Sequence, residues 1–281
     1  MKLVTWNAQW CRGLDGVVNP ERIVKDARRL ADFDVLCLQE IAVHYPRLPG
    51  NAGHDQPALL RELLPGFQVF FGAAVDEWGK DGHRSQFGNL VATRLAVAQV
   101  QHHPLPYPAH GGMWSMPRMC TVVTMIDPGL GPVRVMTAHL EYFSEPQRVA
   151  QARALRELHL QACAHTAAPP KSNEDGSPFQ TKVHTENAIL CGDFNLESHQ
   201  PGYRAITRPF AQGRLWDCWR LLNGRAPQPH TFRLHARKPG EKPMACDFVF
   251  VGESLKGRVR GLQIDSATQA SDHQPLALEL G

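Results

Sequence analysis

Ala188-Ile189-Leu190-Cys191-Gly192-Asp193-Phe194-Asn195 is a short apolar run that stops on a carboxylate, and its reading decides the fold. The run is too short for a helix and has no polar alternation, which fits a strand buried on both faces. The same construction recurs along the chain. Lys2–Asn7 ends in Trp6-Asn7, Val35–Gln39 runs into Glu40, Val133–His139 ends in Ala138-His139, and Ser271-Asp272-His273 stands before the strand-like Ala277–Leu280. Further strands are expected at Gln68–Gly72, Asn89–Thr93, Cys120–Ile126 and Phe248–Val251.

Helical patterns are fewer. Pro20–Asp32 follows Asn19 as N-cap, Pro57–Leu64 carries Leu59, Leu60, Leu63 and Leu64 at helical spacing, and Pro146–His165 is the clearest helix. Two irregular stretches interrupt the plan. One, His102–Pro117, is rich in Pro and Gly around Trp114 and Met116. The other, 166–187, is a polar loop long enough to be either functional or mobile. Strands without regularly interposed helices argue against a doubly wound sheet and for two packed, largely antiparallel sheets with helices outside, an α+β class.

Composition sets the outer bounds. The 281 residues include 30 Lys plus Arg, 27 Asp plus Glu and 43% hydrophobic residues, which excludes disorder, collagen and coiled coil. The apolar runs fall far short of the roughly 20 residues a membrane span needs. Met1–Asn7 lacks an apolar signal region and reads as the first strand of a cytoplasmic protein. Seven cysteines, odd in number and never in a CxxC pair, argue for reduced, buried thiols. The net charge of +3 is unevenly distributed: residues 201–260 hold 12 Lys plus Arg against 4 Asp plus Glu, which fits either a rim for a polyanionic substrate or a solvated face.

The polar residues at the strand ends carry the chemistry. If the ends converge, Glu, Asp and Asn oxygens suit a hard cation, Mg²⁺ or Mn²⁺, and the two histidines add groups for a developing anion, so phosphoryl transfer is the natural use. Walker A, GxSxG, HExxH and GxGxxG motifs are all absent from the sequence. Each residue has a competing structural reading. Asn7 can terminate a ladder, Asp193 can bond its own backbone in a turn, and His139 can be a satisfied core histidine.

Thr5-Trp6-Asn7, Leu38-Gln39-Glu40, Thr137-Ala138-His139-Leu140, Gly192-Asp193-Phe194-Asn195, Cys246-Asp247-Phe248-Val249-Phe250-Val251 and Ser271-Asp272-His273-Gln274-Pro275 follow one another in a recognisable order. Together they resemble the endonuclease/exonuclease/phosphatase superfamily, which includes DNase I, neutral sphingomyelinases, inositol polyphosphate 5-phosphatases and tyrosyl-DNA phosphodiesterases. The resemblance spans Thr5 to Pro275. It implies one domain over 1–281, a DNase I-like four-layer α/β/β/α sandwich with its site at one end of the sheets, and a metal-dependent phosphoester hydrolase. By the same resemblance Glu40 is the principal metal ligand, with Asn7 and Asp272 nearby. Asp193 deprotonates the attacking water, Asn195 binds a phosphate oxygen, His139 and His273 stabilise charge on phosphorus, and Asp247 orients His273. The family often sets a Glu behind the first histidine, for which Glu77 is the candidate by position.

The substrate is left open between two classes. One is nucleic acid, cleaved by a phosphodiesterase or nuclease; the other is a small phosphorylated alcohol or lipid. Trp114 beside Arg118 can stack a base and hold a phosphate, or Trp114 can simply pack down its loop. Arg225, Arg233, His235, Arg237, Lys238 and Lys242 form a candidate basic rim close to Asp247. His139-Leu140-Glu141, with Arg148 and Gln151 on the next helix, resembles a pattern of tyrosyl-DNA phosphodiesterase relatives. There Arg148 and Gln151 are read first as pins for the preceding loop. Lys242-Pro243-Met244-Ala245-Cys246-Asp247 is similar to an inositol 5-phosphatase motif, but Phe248 stands where that group has Arg. A binding protein with a decayed site is the third reading, against which every motif residue is present.

Overall fold

Strand β1 (Lys2–Asn7) pairs in parallel with β2 (Val35–Val43), and α1 (Pro20–Leu30) makes the crossover between them. The same unit is repeated later, where β7 (Gly131–His139) pairs in parallel with β8 (Ala188–Asp193) across α3 (Glu145–Ala167). All other neighbours are antiparallel. Strands β3 (Gln68–Trp78), β4 (Arg84–Thr93), β11 (Val259–Ile264) and β12 (Leu276–Leu280) complete the first sheet in the order β11-β12-β1-β2-β4-β3. Strands β5 (Ala96–Pro104), β6 (Met119–Asp127), β9 (Leu215–Asp217) and β10 (Asp247–Gly252) complete the second as β5-β6-β7-β8-β10-β9. The computed structural model describes residues 1–79, 82–209, 213–235, 237 and 239–281.

Three apolar layers explain why the strands read as continuous hydrophobic runs. Leu3, Val35, Val91, Val135, Ile189, Cys191 and Val249 meet between the sheets. Their sequence neighbours face outward and are covered too. Val4, Trp6, Leu36 and Leu38 pack under Ile23, Val24 and Ala27 of α1 and Leu60 of α2 (Gln56–Leu63). On the far side Met136, Ala138, Leu190, Phe248 and Phe250 pack under Ala152 and Leu155 of α3 and Tyr203 and Ile206 of α4 (Pro201–Thr207). The result is the expected α/β/β/α order of layers.

The helix starts follow from local chemistry. Asn19, Asp55 and Ser144 each accept a backbone N–H with the side chain at an N-cap, and a proline lies in each first turn. Five elements escape the sequence reading: β5, β9, β11, α4 and α5 (Cys218–Asn223); β9, α4 and α5 are short, and β5 is an edge strand with only exposed or half-buried residues. All seven cysteines are buried and unpaired. Among the described residues no helix is long and apolar enough to cross a membrane.

Candidate active site

Because both parallel pairs run in the same sense, β1, β2, β7 and β8 deliver their C-terminal ends to one edge of the sandwich, and the antiparallel β10 and β12 begin there. His139, Asp193 and Asp247 are direct cross-strand partners on β7, β8 and β10. Gly192 makes this close approach possible: its φ is +135°, and a Cβ there would collide with the carbonyl oxygen of Ala138. Under the site Gln39 donates to Thr5 and Thr137 at 3.2 and 2.9 Å, tying the two sheets together through hydroxyls that no apolar layer could hold.

Glu40 does not end its strand. β2 continues to Val43, and Glu40 sits at a bulge opposite β4 with φ +59°. Such a conformation costs roughly 1–2 kcal/mol for a residue with a Cβ, and bulges of this kind re-aim a side chain beside functional sites. Asn195, with φ +50°, is the other strained position among the motif residues.

Around Asp193 the contacts are dense. Its Oδ2 accepts from Asn7 Nδ2 at 3.0 Å and lies 3.4 Å from His139 Nε2 and 3.6 Å from His273 Nε2, while Oδ1 accepts from the Asn195 amide at 2.9 Å. Burial pushes the Asp193 carboxyl up from its ordinary range, although the charge on His273 opposes the rise. His273 Nδ1 donates to Asp247 Oδ2 at 2.9 Å, and Thr231 donates to the same oxygen at 2.6 Å. Burial works against a charge on His273, but Asp247 and then Asp193 outweigh it and raise the imidazole to about 10. Phe232 stacks on the ring at 4.4 Å between centroids and holds its plane.

His139 is the opposite case. Burial, then the cations Arg118 and His273, push it well below its ordinary value, so it is the neutral imidazole of the pair. Asn195 Nδ2 lies 2.9 Å from His139 Nε2 and donates to Leu140 O at 2.9 Å, so this amide orients the first histidine while Asn195 also lines the cleft. Glu77 is not behind His139: it sits near the exposed end of β3 and accepts from Tyr45 at 2.8 Å. The carboxylate nearest His139 Nδ1 is Glu40, at 3.9 Å.

The three expected metal ligands are brought together. Asn7 Nδ2 donates to Glu40 Oε1 at 3.1 Å, Asn7 Oδ1 accepts from the Gln9 amide, and Gln9 Nε2 donates to Asp272 at 2.8 Å. Glu40 is raised to about 7, first by burial and then by Asp272 across the site, the behaviour of crowded acids whose shared charge a hard cation would offset. Two carboxylates and an amide, with Asp193 adjacent, form an oxygen-rich set that fits Mg²⁺ or Mn²⁺. A second grouping, Asp193, Cys246, Asp247 and His273, also brings potential ligand atoms within 4.8 Å. It makes a poor metal site, because Asp247 Oδ2 is taken by Thr231 and His273 and burial holds the Cys246 thiol protonated.

A cleft of about 430 Å³ opens over these groups. Trp114, 82% exposed, stands on its wall with Trp10, Tyr142, Phe143 and Phe232. Arg118 is buried in the same wall. Its Nε and Nη2 each lie 3.3 Å from Glu141 Oε2, and among the described residues its buried Nη1 has no hydrogen-bond partner. Arg148 donates to the carbonyls of Glu141 and Tyr142, and Gln151 accepts from the Glu141 amide, so both pin the loop. Of the basic rim, Arg233 reaches the cleft, paired with Glu241 at 3.3 Å; Lys238 lies outside the described residues.

Gln9, Trp10, Tyr142 and Phe232 line the cleft without having been singled out from the sequence. Gln9 and Trp10 carried a signal in their position just after Asn7, and Tyr142 in its place after His139-Leu140-Glu141. The first two lie in a turn where Gln9, Trp10 and Cys11 all have positive φ, a conformation no local pattern encodes.

Known proteins extend this picture. The sequence matches the Endonuclease/Exonuclease/phosphatase family over residues 4–273. No curated protein matched it. Among solved structures, an endonuclease/exonuclease/phosphatase from Beutenbergia cavernae DSM 12333 superposes with TM-score 0.71 at 25% identity, covering all of this chain and 72% of that one. A mannosyl-6-phosphatase from Bacteroides thetaiotaomicron VPI-5482 gives 0.65 at 18% identity, with 100% and 99% covered. D. rerio TDP2 complexed with a single-stranded DNA product gives 0.66 at 16%, with 100% and 98% covered. With the match spanning nearly every residue and the motif side chains gathered at one sheet edge, the chain belongs to the endonuclease/exonuclease/phosphatase family of phosphoester hydrolases.

Proposed function

We propose that residues 1–281 act as one domain, a cytoplasmic, divalent-metal-dependent phosphodiesterase that cleaves nucleic acid by in-line attack of water on phosphorus. The observation that carries the reading is Asp193 Oδ2 lying within 3.6 Å of both imidazoles, one of them held as a cation by Asp247. Asp193, raised towards neutrality, takes the proton of the attacking water. The imidazolium of His273 donates to a phosphoryl oxygen as charge builds there, and Asp247 keeps that donor charged and oriented. His139, fixed by Asn195, lines the opposite side of the reacting group as a neutral donor. Mg²⁺ or Mn²⁺ held by Glu40, Asp272 and Asn7 would supply Lewis-acid stabilisation of the phosphoryl and leaving oxygens.

Exposed aromatics favour a nucleic-acid strand. Trp114 and Phe143, 82% and 51% exposed beside the cleft, offer faces on which bases can stack, and the free Nη1 of Arg118 offers a donor for a phosphate oxygen. A phosphatase or phospholipase-type enzyme for a small phosphorylated alcohol or lipid is favoured by a different observation: among the described residues Arg118 and Arg233 are the only Lys or Arg side chains lining the cleft.

A panel of phosphodiesters and phosphomonoesters with Mg²⁺ or Mn²⁺ tests the proposal. Turnover of single-stranded DNA or RNA is expected, with losses of about 10²–10⁴-fold in Asp193→Asn and comparable losses in Glu40→Ala. Hydrolysis of no ester, or retention of about a tenth of the activity by Asp193→Asn, would overturn the catalytic assignment; hydrolysis of monoesters alone would transfer it to the second substrate class.

A further inference from the structure

About five residues up β7 from His139, some 16 Å by strand rise, Arg134 lines a separate cavity of about 180 Å³ on the outer face of the second sheet. The cavity shares no residue with the catalytic cleft. Its floor is sheet, one wall is the second half of α3, and the other wall is Lys182–Thr185, the last part of the long polar loop.

Arg134 is 7% exposed. Its Nη2 meets only the sulfur of Met136, at 3.1 Å, and among the described residues its buried Nη1 has no hydrogen-bond partner. No Asp or Glu lines the cavity; Lys182, His103, His165 and His184 do. Burial accordingly lowers the pKa of Arg134 from its ordinary value. A guanidinium taken out of water without a carboxylate is among the costlier arrangements a fold can hold, and the usual compensation is an anion that accepts its N–H groups in pairs. His165 and His184, with ring centroids 5.3 Å apart, stand at the mouth, and the Thr185 hydroxyl donates to Pro132 O, anchoring the loop wall to the start of β7.

We infer that this cavity is a second, non-catalytic anion site that takes a phosphate group, with Arg134 as its buried anchor and Lys182 and the histidines as its rim. The loop that follows α3, 168–187, then has a role, since it completes the wall. The site does not depend on the catalytic proposal.

Inorganic phosphate titrated into the whole protein should shift the ring C–H signals of His165 and His184 in NMR spectra and saturate. Arg134→Met should weaken that response at least about tenfold, while melting no lower than the wild type in phosphate-free buffer, because a buried unpaired charge has been removed. Lys182→Gln on the exposed loop, which cannot threaten the core, should weaken it by a smaller factor. A small phosphate monoester, tested in Asp193→Asn so that it is not consumed, separates the two sources. Tighter binding than phosphate points to a metabolite, equal binding to the free ion. The inference is overturned if the histidine signals do not move by about 50 mM phosphate, or if they move as before in both Arg134→Met and Lys182→Gln.

Discussion

His273 is where one residue's environment most directly sets what the site can do. Its burial would favour a neutral ring, yet Asp247 and Asp193 hold it protonated up to about 10. Asp247→Asn removes the larger of the two attractions, so the ring should titrate several tenths of a unit or more lower in an NMR pH series, towards its ordinary 6.5. The linkage has a definite sign. A folded-state pKa above the unfolded one stabilises the protein fully below about 6.5, and that contribution disappears as pH rises through about 10. The stability gap between wild type and Asp247→Asn should therefore narrow in urea melts between those limits; a gap that widens would contradict a charged His273. His273→Ala should lose turnover by about 10²–10³-fold or more with the fold intact, measured at saturating metal. Activity above about a tenth of wild type would remove His273 from the mechanism.

Helix α3 acts as a bracket for the cleft wall. Ser144 caps it and also hydrogen-bonds His110, Gln147 donates to Pro108 O, and Gln151 spans the Glu141 amide and Pro106 O. The buried first turns thus fix both the Pro-rich loop that carries Trp114 and the loop that carries Glu141. Gln151→Leu would strand the Glu141 amide and the Pro106 carbonyl, at a cost of about 1–3 kcal/mol in chemical denaturation. KM for a nucleic-acid substrate should rise more than kcat falls, since His139, Asp193 and Asp247 are held by the strand ladder and not by Gln151. A pure kcat effect would argue that the bracket acts on the chemistry instead. This pinning role was legible in the sequence because Arg148 and Gln151 fall in the first turns of the helix that follows the loop, and the strand ends were legible because a polar residue closes each apolar run. The bulge at Glu40 was not: Ile41 and Val43 continue the apolar run, and only the partner strand reveals that one residue is out of register. Edge strand β5 stayed hidden for a related reason, since its half-exposed residues gain their ladder from β6 and not from their own pattern. Glu77 was misjudged because position along β3 says nothing about how far that hairpin projects beyond the site.

At the scale of the whole molecule, the charge excess of residues 201–260 is dispersed, and Arg233 alone of its Lys and Arg residues, among those described, lines the cleft. That changes the expected salt response. A polyanion gripped along the whole basic stretch would release many counterions, whereas contacts from Arg118 and Arg233 release about two. For single-stranded DNA, whose binding constant falls with a slope of about −0.7 per phosphate neutralised, log K against log salt should have a slope near −1.4. Arg233→Gln should halve it to about −0.7. Fluorescence anisotropy of a short labelled strand, with metal withheld so that it is not cut, measures both. The shallow slope leaves the exposed aromatics to supply most of the affinity, so Trp114→Ala should weaken binding by about 1–3 kcal/mol at every salt concentration without changing the slope. A slope of about −4 or steeper would mean that the strand leaves the cleft and follows the dispersed arginines, and loss of slope with Trp114→Ala would mean that stacking and phosphate contacts are not independent.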